Sequence, residues 1–363
     1  MNSFTKTLSF SITLAAVSAS YATPAFPCCP RDEHSAGRPD AHAPISVMGD
    51  HTHREGGWMF SYRYMNMQMD GMRSGTKRVN SQNVFTENYA VAPENMTMEM
   101  HMFGLMYAPT DQLTLMAMTN YIDITMNHRV NPAVDGMING GDSGFTTESS
   151  GFGDIKLSAL YRFYLEGNSK AHFGIGFSLP AGSIDEKDDT PSMGGRQRQQ
   201  LPAPMQLGSG TIDLLPSLTY VHQLENWSWG AQASGVIRLE SENNNNYLLG
   251  NKFELTSWAG YNLAEWLGLT GGLSYGYAGE LKGDQKGVGT TGPMGRRSVT
   301  TAFGDNYGGE RIDLILGINL LKPTGYLEGH RLSFDLRLPI WRDLNGYQLE
   351  SDYALTFGWQ KAF

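Results

Sequence analysis

From Gly57 to the end of the chain, apolar and polar side chains alternate with a period of two, the mark of strands that keep one face apolar. Ile155, Leu157, Ala159, Tyr161 and Phe163 alternate with Asp154, Lys156, Ser158, Leu160 and Arg162. The stretches 312–320 and 332–340 repeat the pattern, against faces that carry charge and glycine. Such runs predict twelve strands, near 57–67, 97–108, 113–126, 153–164, 170–180, 211–222, 227–240, 251–263, 267–280, 308–321, 331–341 and 351–363. The connections alternate between short (109–112, 165–169, 223–226, 264–266, 322–330) and long (68–96, 127–152, 181–210, 241–250, 281–307, 342–350). Spanning strands need about 9–11 residues, and short periplasmic turns opposite long external loops are the usual asymmetry of membrane barrels. The expected fold class is therefore all-β: a transmembrane antiparallel β-barrel of about 12 strands.

The last strand sharpens this expectation. Tyr353, Leu355, Phe357 and Trp359 sit two apart, and after Lys361 the chain ends on Phe363. An unpaired strand edge in lipid is untenable, so the first and last strands must close the sheet. The expected partners are accordingly outer-membrane lipid, the barrel-assembly machinery reading the strand that ends at Phe363, and a small-molecule solute.

The start of the chain supplies the compartment. Lys6, the apolar run Leu8–Val17 and Ser20-Tyr21-Ala22 form a signal peptide over 1–22. Residues 23–56 read as a flexible periplasmic segment and 57–363 as the barrel, which places the protein in the outer membrane of a Gram-negative bacterium. Only 17% of residues are charged, 43 are glycine and 11% are aromatic, with 40% hydrophobic. That mixture suits a lipid-facing belt diluted by a polar lumen. A net charge of −9 without a basic cluster argues against nucleic acid as a partner.

Three motifs carry a family resemblance: Gly151-Phe152-Gly153-Asp154, Ser178-Leu179-Pro180-Ala181-Gly182-Ser183, and the run from Met205-Gln206-Leu207-Gly208-Ser209-Gly210 through Pro216. With them the chain, from about Gly56 to Phe363, resembles the outer-membrane barrel family named for a phenol meta-cleavage pathway, whose members are labelled transporters. The resemblance implies fold and location; its motifs are turn and strand signatures and attach no substrate residue. The Met- and His-rich opening is similar to one sub-branch of that family.

By alternation, the side chains expected to line the lumen are Arg63, Glu99, His101, Asp123, Asp154, Lys156, Arg162, Arg238, Glu240, Arg311, Asp313, Arg331, Asp335 and Arg337, with Lys252, Glu254 and Asp352 beside them. Both signs are present, so the expected function is a channel for small solutes through a mixed-charge lumen. The acidic loop 185–189 or the Gly-rich loop 283–295 is a candidate plug.

Of 19 methionines, 15 lie between Met48 and Met137. Thioethers and imidazoles are ligands for soft cations, which makes a Cu- or Ag-binding or metal-stress barrel the runner-up. The candidate ligands are Met48, His51, His53, Met65, Met67 and Met69, with Cys28 and Cys29 in the leader. Charge on the opposite face predicts that Met98, Met100 and Met102 point to lipid, as do Met116 and Met118 with Ile122 and Ile124. The aromatic face Trp58, Phe60, Tyr62 and Tyr64 turns Met65, Met67 and Met69 inward. No cofactor beyond such an ion is expected. A third reading, a hydrolase on the outer wall, would need a Ser–His pair; His172 with Ser178 and His222 with Ser217 are the available combinations, and the chain is expected not to be an enzyme.

Overall fold

The structure is a computed structural model and describes residues 38–321 and 326–363. The signal peptide, Cys28, Cys29 and His34 lie outside the described residues.

Eleven strand elements form a closed antiparallel ring: β1 (Trp58–Gly75), β2 (Tyr89–Tyr107), β3 (Leu113–Val130), β4 (Ile155–Glu166), β5 (Ser169–Leu179), β6 (Asp213–Gln223), β7 (Trp227–Arg238), β8 (Lys252–Ala264), β9 (Leu267–Ala278), β10 (Gly309–Leu321) and β11 (His330–Ala362). Each strand pairs with its sequence neighbour, and β11 closes the ring on β1 from Met59↔Ala362 onward. β11 is itself a hairpin. Its first arm pairs with β10 and its second with β1, while Arg331 Nη1 donates to Gln360 Oε1 across the arms at 2.8 Å. Gly346, at a φ of 56°, makes the tight turn between the arms. The barrel therefore has twelve staves, each overlapping one of the twelve runs read from the alternation.

The outer wall is the expected lipid face. Leu157, Phe163, Ile175, Phe177, Leu218, Leu255, Leu273, Leu316, Phe334 and Phe357 are all exposed, with Trp227, Trp229, Trp266 and Trp341 near the strand ends. Among the described residues no helix is long and apolar enough to cross a membrane; strands perform that task here.

β1, β2 and β3 run to 18, 19 and 18 residues, about twice what a tilted span requires. Much of the segment 68–96, expected to be loop, is therefore strand, followed by a short helix, Ser81–Thr86, capped by Asn80. Above β4 the upper part of β3 continues its pairing with a further strand, Gly144–Phe152.

This extra length reverses part of the expected facing. Glu99 lies opposite Asp123, and the exposed Asp123 belongs to the outer face. Glu99 accepts a hydrogen bond from the Tyr64 hydroxyl, and His101 Nδ1 is 2.8 Å from the Tyr62 hydroxyl. These three residues, expected in the lumen, are outside it. Conversely, Met98, Met100, Met102, Met116 and Met118, expected toward lipid, face inward. Low in the barrel, Met116 and Met118 face inward because they pack beside residues 49–51 of the segment ahead of β1; for the residues further up the physical cause is height. Beyond the hydrocarbon layer the outer face of a strand meets water, while the inner face packs on loops folded into the mouth. Leu201, Met205 and Leu207 of the loop between β5 and β6 form one apolar cluster with Met96, Ile122, Ile124 and Met126. Polar-out, apolar-in alternation is what such a half-buried sheet requires.

Candidate functional site

The segment ahead of β1, expected to be a flexible leader, enters the barrel in its described part. Residues 38–53 form a plug at the short-turn end of the lumen. Arg38 grips the Asp40 carboxylate with two N–H groups, at 2.9 and 2.7 Å, and donates to the Leu224 carbonyl of the β6–β7 turn. Asn262 of β8 exchanges two hydrogen bonds with Asp40, at 2.9 and 2.7 Å. Higher up, Arg331 donates to the Ala43 carbonyl at 3.0 Å, and Asp335 accepts from the Ser46 amide at 2.8 Å. At the tip, Gly49 takes a φ of 63°, and its carbonyl accepts from His172 Nε2 at 2.8 Å. The chain then returns past Thr114, whose hydroxyl accepts from the His53 amide.

Apolar packing reinforces these bonds. Ala43 and Val47 pack with Val221 and Trp258. Ile45 is fully buried against Gly358. Three wall glycines provide the room: a β-carbon at Gly358 would lie 2.5 Å from Ile45 Cγ1, at Gly268 2.8 Å from Pro39 Cβ, and at Gly260 3.0 Å from the Asp40 carbonyl. A leader-like composition conceals this fit, and only the inward glycines point to it.

The plug also gathers a polar cluster. His51 Nδ1 lies 2.7 Å from Asp50 Oδ1 and His42 Nδ1 3.8 Å from Asp50 Oδ2, with the Ala43 amide donating to Oδ2. The His51 ring sits edge-on to both His42 and His53, with centroids 5.0 Å apart in each case. Burial lowers His42 and His53 to about 3, Arg331 adding to the shift at His42 and His51 at His53, so both imidazoles are neutral at neutral pH. Burial works to raise the Asp50 carboxyl, but His51 and His42 outweigh it and hold it well below the ordinary range.

Above the plug lie two cavities, of about 280 and 330 Å³, which share Ser234, Gly235 and Glu254. One wall is methionine. Met65, Met67 and Met69 lie directly opposite Met100, Met98 and Met96, and Met59 opposite Met106; Met69, Met100, Met102, Met116 and Met118 line the cavities. The other wall is ionic. Arg337 donates to Glu254 at 2.9 Å and lies 3.6 Å from Asp313, which Arg311 approaches to 3.2 Å.

The remaining predicted residues fall as follows. Arg63 is buried inside, with Nη1 2.9 Å from Met48 Sδ. Lys156 borders the lower cavity, and Arg162 lies in register with the inward His172. Arg238 pairs with Asp213, and Glu240 is at the exposed rim, accepting from the Ile212 amide at 2.9 Å. Met48, His51 and His53 lie in the plug, and Met65, Met67 and Met69 form a separate column above it. His172 does not bond Ser178, nor His222 Ser217. His172 holds Gly49, whereas His222 Nδ1 is 2.7 Å from Ser169 Oγ.

Asp154 does more than line the lumen. Its Oδ1 accepts from the Gly182 amide at 3.0 Å, and its Oδ2 from the amide and hydroxyl of Ser209 at 2.8 and 2.9 Å. All three sequence motifs thus converge on one carboxylate. In the loop that carries the acidic stretch 185–189, it is the apolar segment 201–207 that packs on the inner face of β2 and β3.

A closed, lipid-faced barrel with an occupied lumen defines the class: an outer-membrane-type β-barrel. Within that class, the chain belongs to the family described as "Putative MetA-pathway of phenol degradation", whose model matches residues 81–304. The fold is similar to that of the COG4313 outer membrane channel from Pseudomonas putida F1, with a TM-score of 0.58 and 15% identity over 88% of this chain and 100% of that one. The P. putida toluene transporter TodX is more distant, with a TM-score of 0.44 and 9% identity over 86% of this chain and 91% of that one. No curated protein matches the sequence.

Proposed function

We propose that the protein is an outer-membrane channel for small solutes, exported by its signal peptide, with the short turns periplasmic and the long loops external. One observation carries this reading: the two adjoining cavities above the plug, walled by methionine on one side and by ion pairs on the other. Such a lumen suits a solute with an apolar body and a polar end, because thioethers adapt to irregular apolar shapes while fixed charges orient a dipole. The plug closes this path below and the segment 201–207 narrows it above, so passage requires one or both to move. No step of such a function is enzymatic. The last strand serves assembly, offering its edge and Phe363 to the insertion machinery.

The test is single-channel conductance in planar bilayers. Refolded full-length protein is expected to give rare, small openings, and a variant lacking 38–52 stable ohmic steps several-fold larger. A silent deletion variant that still shows the gel shift of a folded barrel overturns the channel reading.

A second reading is favoured by one specific observation, the inward direction of the β1–β3 methionines. It is a barrel that handles soft metal ions.

A further inference from the structure

We infer that the plug carries a binding site for a monovalent soft cation of the Cu⁺ or Ag⁺ class, formed by His42, Asp50 and His51. The inference rests on the soft-metal reading and is independent of whether the barrel conducts. Three observations on the plug and its surroundings support it.

The first is geometry. Each of the three buried residues offers one ligand atom, and these atoms all lie within 4.8 Å of one another. Ligands at about 2.0–2.2 Å from a shared ion, the range seen for zinc, stand roughly 3.5 Å apart, so His42 closes slightly on Asp50 from 3.8 Å while the His51–Asp50 pair opens from 2.7 Å and exchanges its hydrogen bond for the ion. All three ligands belong to one ten-residue stretch whose tip and flanks are pinned to the wall by His172, Asp335 and Arg331. That anchoring holds the two imidazoles and the carboxylate together before any ion arrives. His53 Nε2, buried and without a hydrogen-bond partner, lies on the imidazole next to His51.

The second is the lining. Asp50 and His51 border a void of about 10 Å³ whose other walls include Met59, Met106, Met116 and Met118. Thioethers around imidazole ligands make a polarisable shell, which favours soft ions over Mg²⁺ or Ca²⁺.

The third is charge. Arg63 borders the same void, and Arg331 reaches the plug at Ala43. Against them stand Asp50 and Asp335. Lys170, whose charge also acts on Asp50, makes three positive groups against two negative, so the lower lumen is already weakly positive and a divalent ion meets twice the repulsion of a monovalent one. The desolvation cost favours the smaller charge.

The test is calorimetric titration of the refolded full chain with Ag⁺, in a Cys28→Ser, Cys29→Ser background that removes competing thiolates. One tight Ag⁺ per folded chain is expected. Since losing an outer-shell partner typically costs a metal site about 10–100-fold in affinity, loss of a direct ligand in His51→Gln or His42→Gln should cost at least as much. His222→Ala, on the outer wall, should leave binding unchanged. Retention of tight binding in both glutamine variants, with its loss in a Met65→Leu, Met67→Leu, Met69→Leu variant, overturns the plug site and leaves the soft-metal reading standing. Absence of Ag⁺ binding in the parent overturns both. Zn²⁺ binding more tightly than Ag⁺ overturns the assigned ion class. If the glutamine variants do not fold, X-ray absorption of the Ag⁺-loaded parent decides: a nitrogen and oxygen first shell supports the site, and a sulfur-dominated one sinks it.

Discussion

Asp154 holds Ser209 twice, taking hydrogen bonds from its amide at 2.8 Å and its hydroxyl at 2.9 Å. Asp154 immediately precedes β4 and Ser209 precedes β6, so one carboxylate ties the barrel wall to the far end of the loop that fills the mouth. Hydrogen bonds to a charged group contribute about 1.5–3 kcal/mol each. Asp154→Ala is therefore expected to free the segment 181–210 while the barrel stays closed. Limited proteolysis should show it: trypsin cleavage at Arg196 and Arg198 quickens several-fold, and Asp154→Asn, which keeps one carbonyl acceptor, falls between.

A wall glycine controls the plug in a similar way. Gly358 leaves no space for a side chain while Ile45 is seated, and overpacking of this kind costs about 1–3 kcal/mol. Valine suits a strand, so Gly358→Val should preserve the barrel and lift the plug. The expected result is more frequent and larger conductance steps than the parent shows, with an unchanged gel shift of the folded form. A variant as quiet as the parent would mean that the plug is not what closes the lumen.

The sequence was most legible where one physical rule governed a whole strand. From β4 to β11 one rule governs the strands, lipid outside and water or ion pairs inside, and Arg311, Asp313, Arg331, Asp335 and Arg337 lie on the inner face. The rule failed at Glu99, His101 and Asp123 because β1 to β3 rise out of the bilayer, where the polar face turns outward; nothing in a single strand marks the height at which lipid ends. The plug was hidden for another reason. Pro, Ala, Gly and His between 38 and 53 look the same in a solvated leader as in a segment held by tertiary fit, and the fit resides in distant glycines such as Gly260 and Gly268. Asp154 was legible as an inward charge but not as a latch, since its partners Gly182 and Ser209 are brought to it only by the closed loop.

The reversed facing of β3 has its own test. Asp123 is exposed on the outer face and Ile122 buried within. In the Cys28→Ser, Cys29→Ser background, Asp123→Cys should react with a membrane-impermeant maleimide on intact cells. Ile122→Cys, covered by Leu207 and its neighbours in the apolar cluster, should resist labelling until the chain is unfolded. The opposite labelling pattern would restore the facing expected from charge alone. Equal labelling of both would mean that the apolar cluster opens freely in the membrane.

The ionic wall should set selectivity once the plug is gone. Arg337 is the cation between Glu254 and Asp313, donating to the first at 2.9 Å and lying 3.6 Å from the second. Arg337→Glu would bring a third carboxylate against those two and leave Arg311 as the counter-charge nearest Asp313. Removing the partner of these buried carboxylates costs about 3–5 kcal/mol in folding, so the gel shift of the folded form is checked before conductance is read. Because rings of like charge bias permeation, the reversal potential in a potassium chloride gradient should move toward the cation limit. The measurement belongs in the variant lacking 38–52, where the path is unobstructed, with Arg337→Gln expected midway. A reversal potential indifferent to both substitutions, in channels that still conduct, would place the conducting path elsewhere than along this wall.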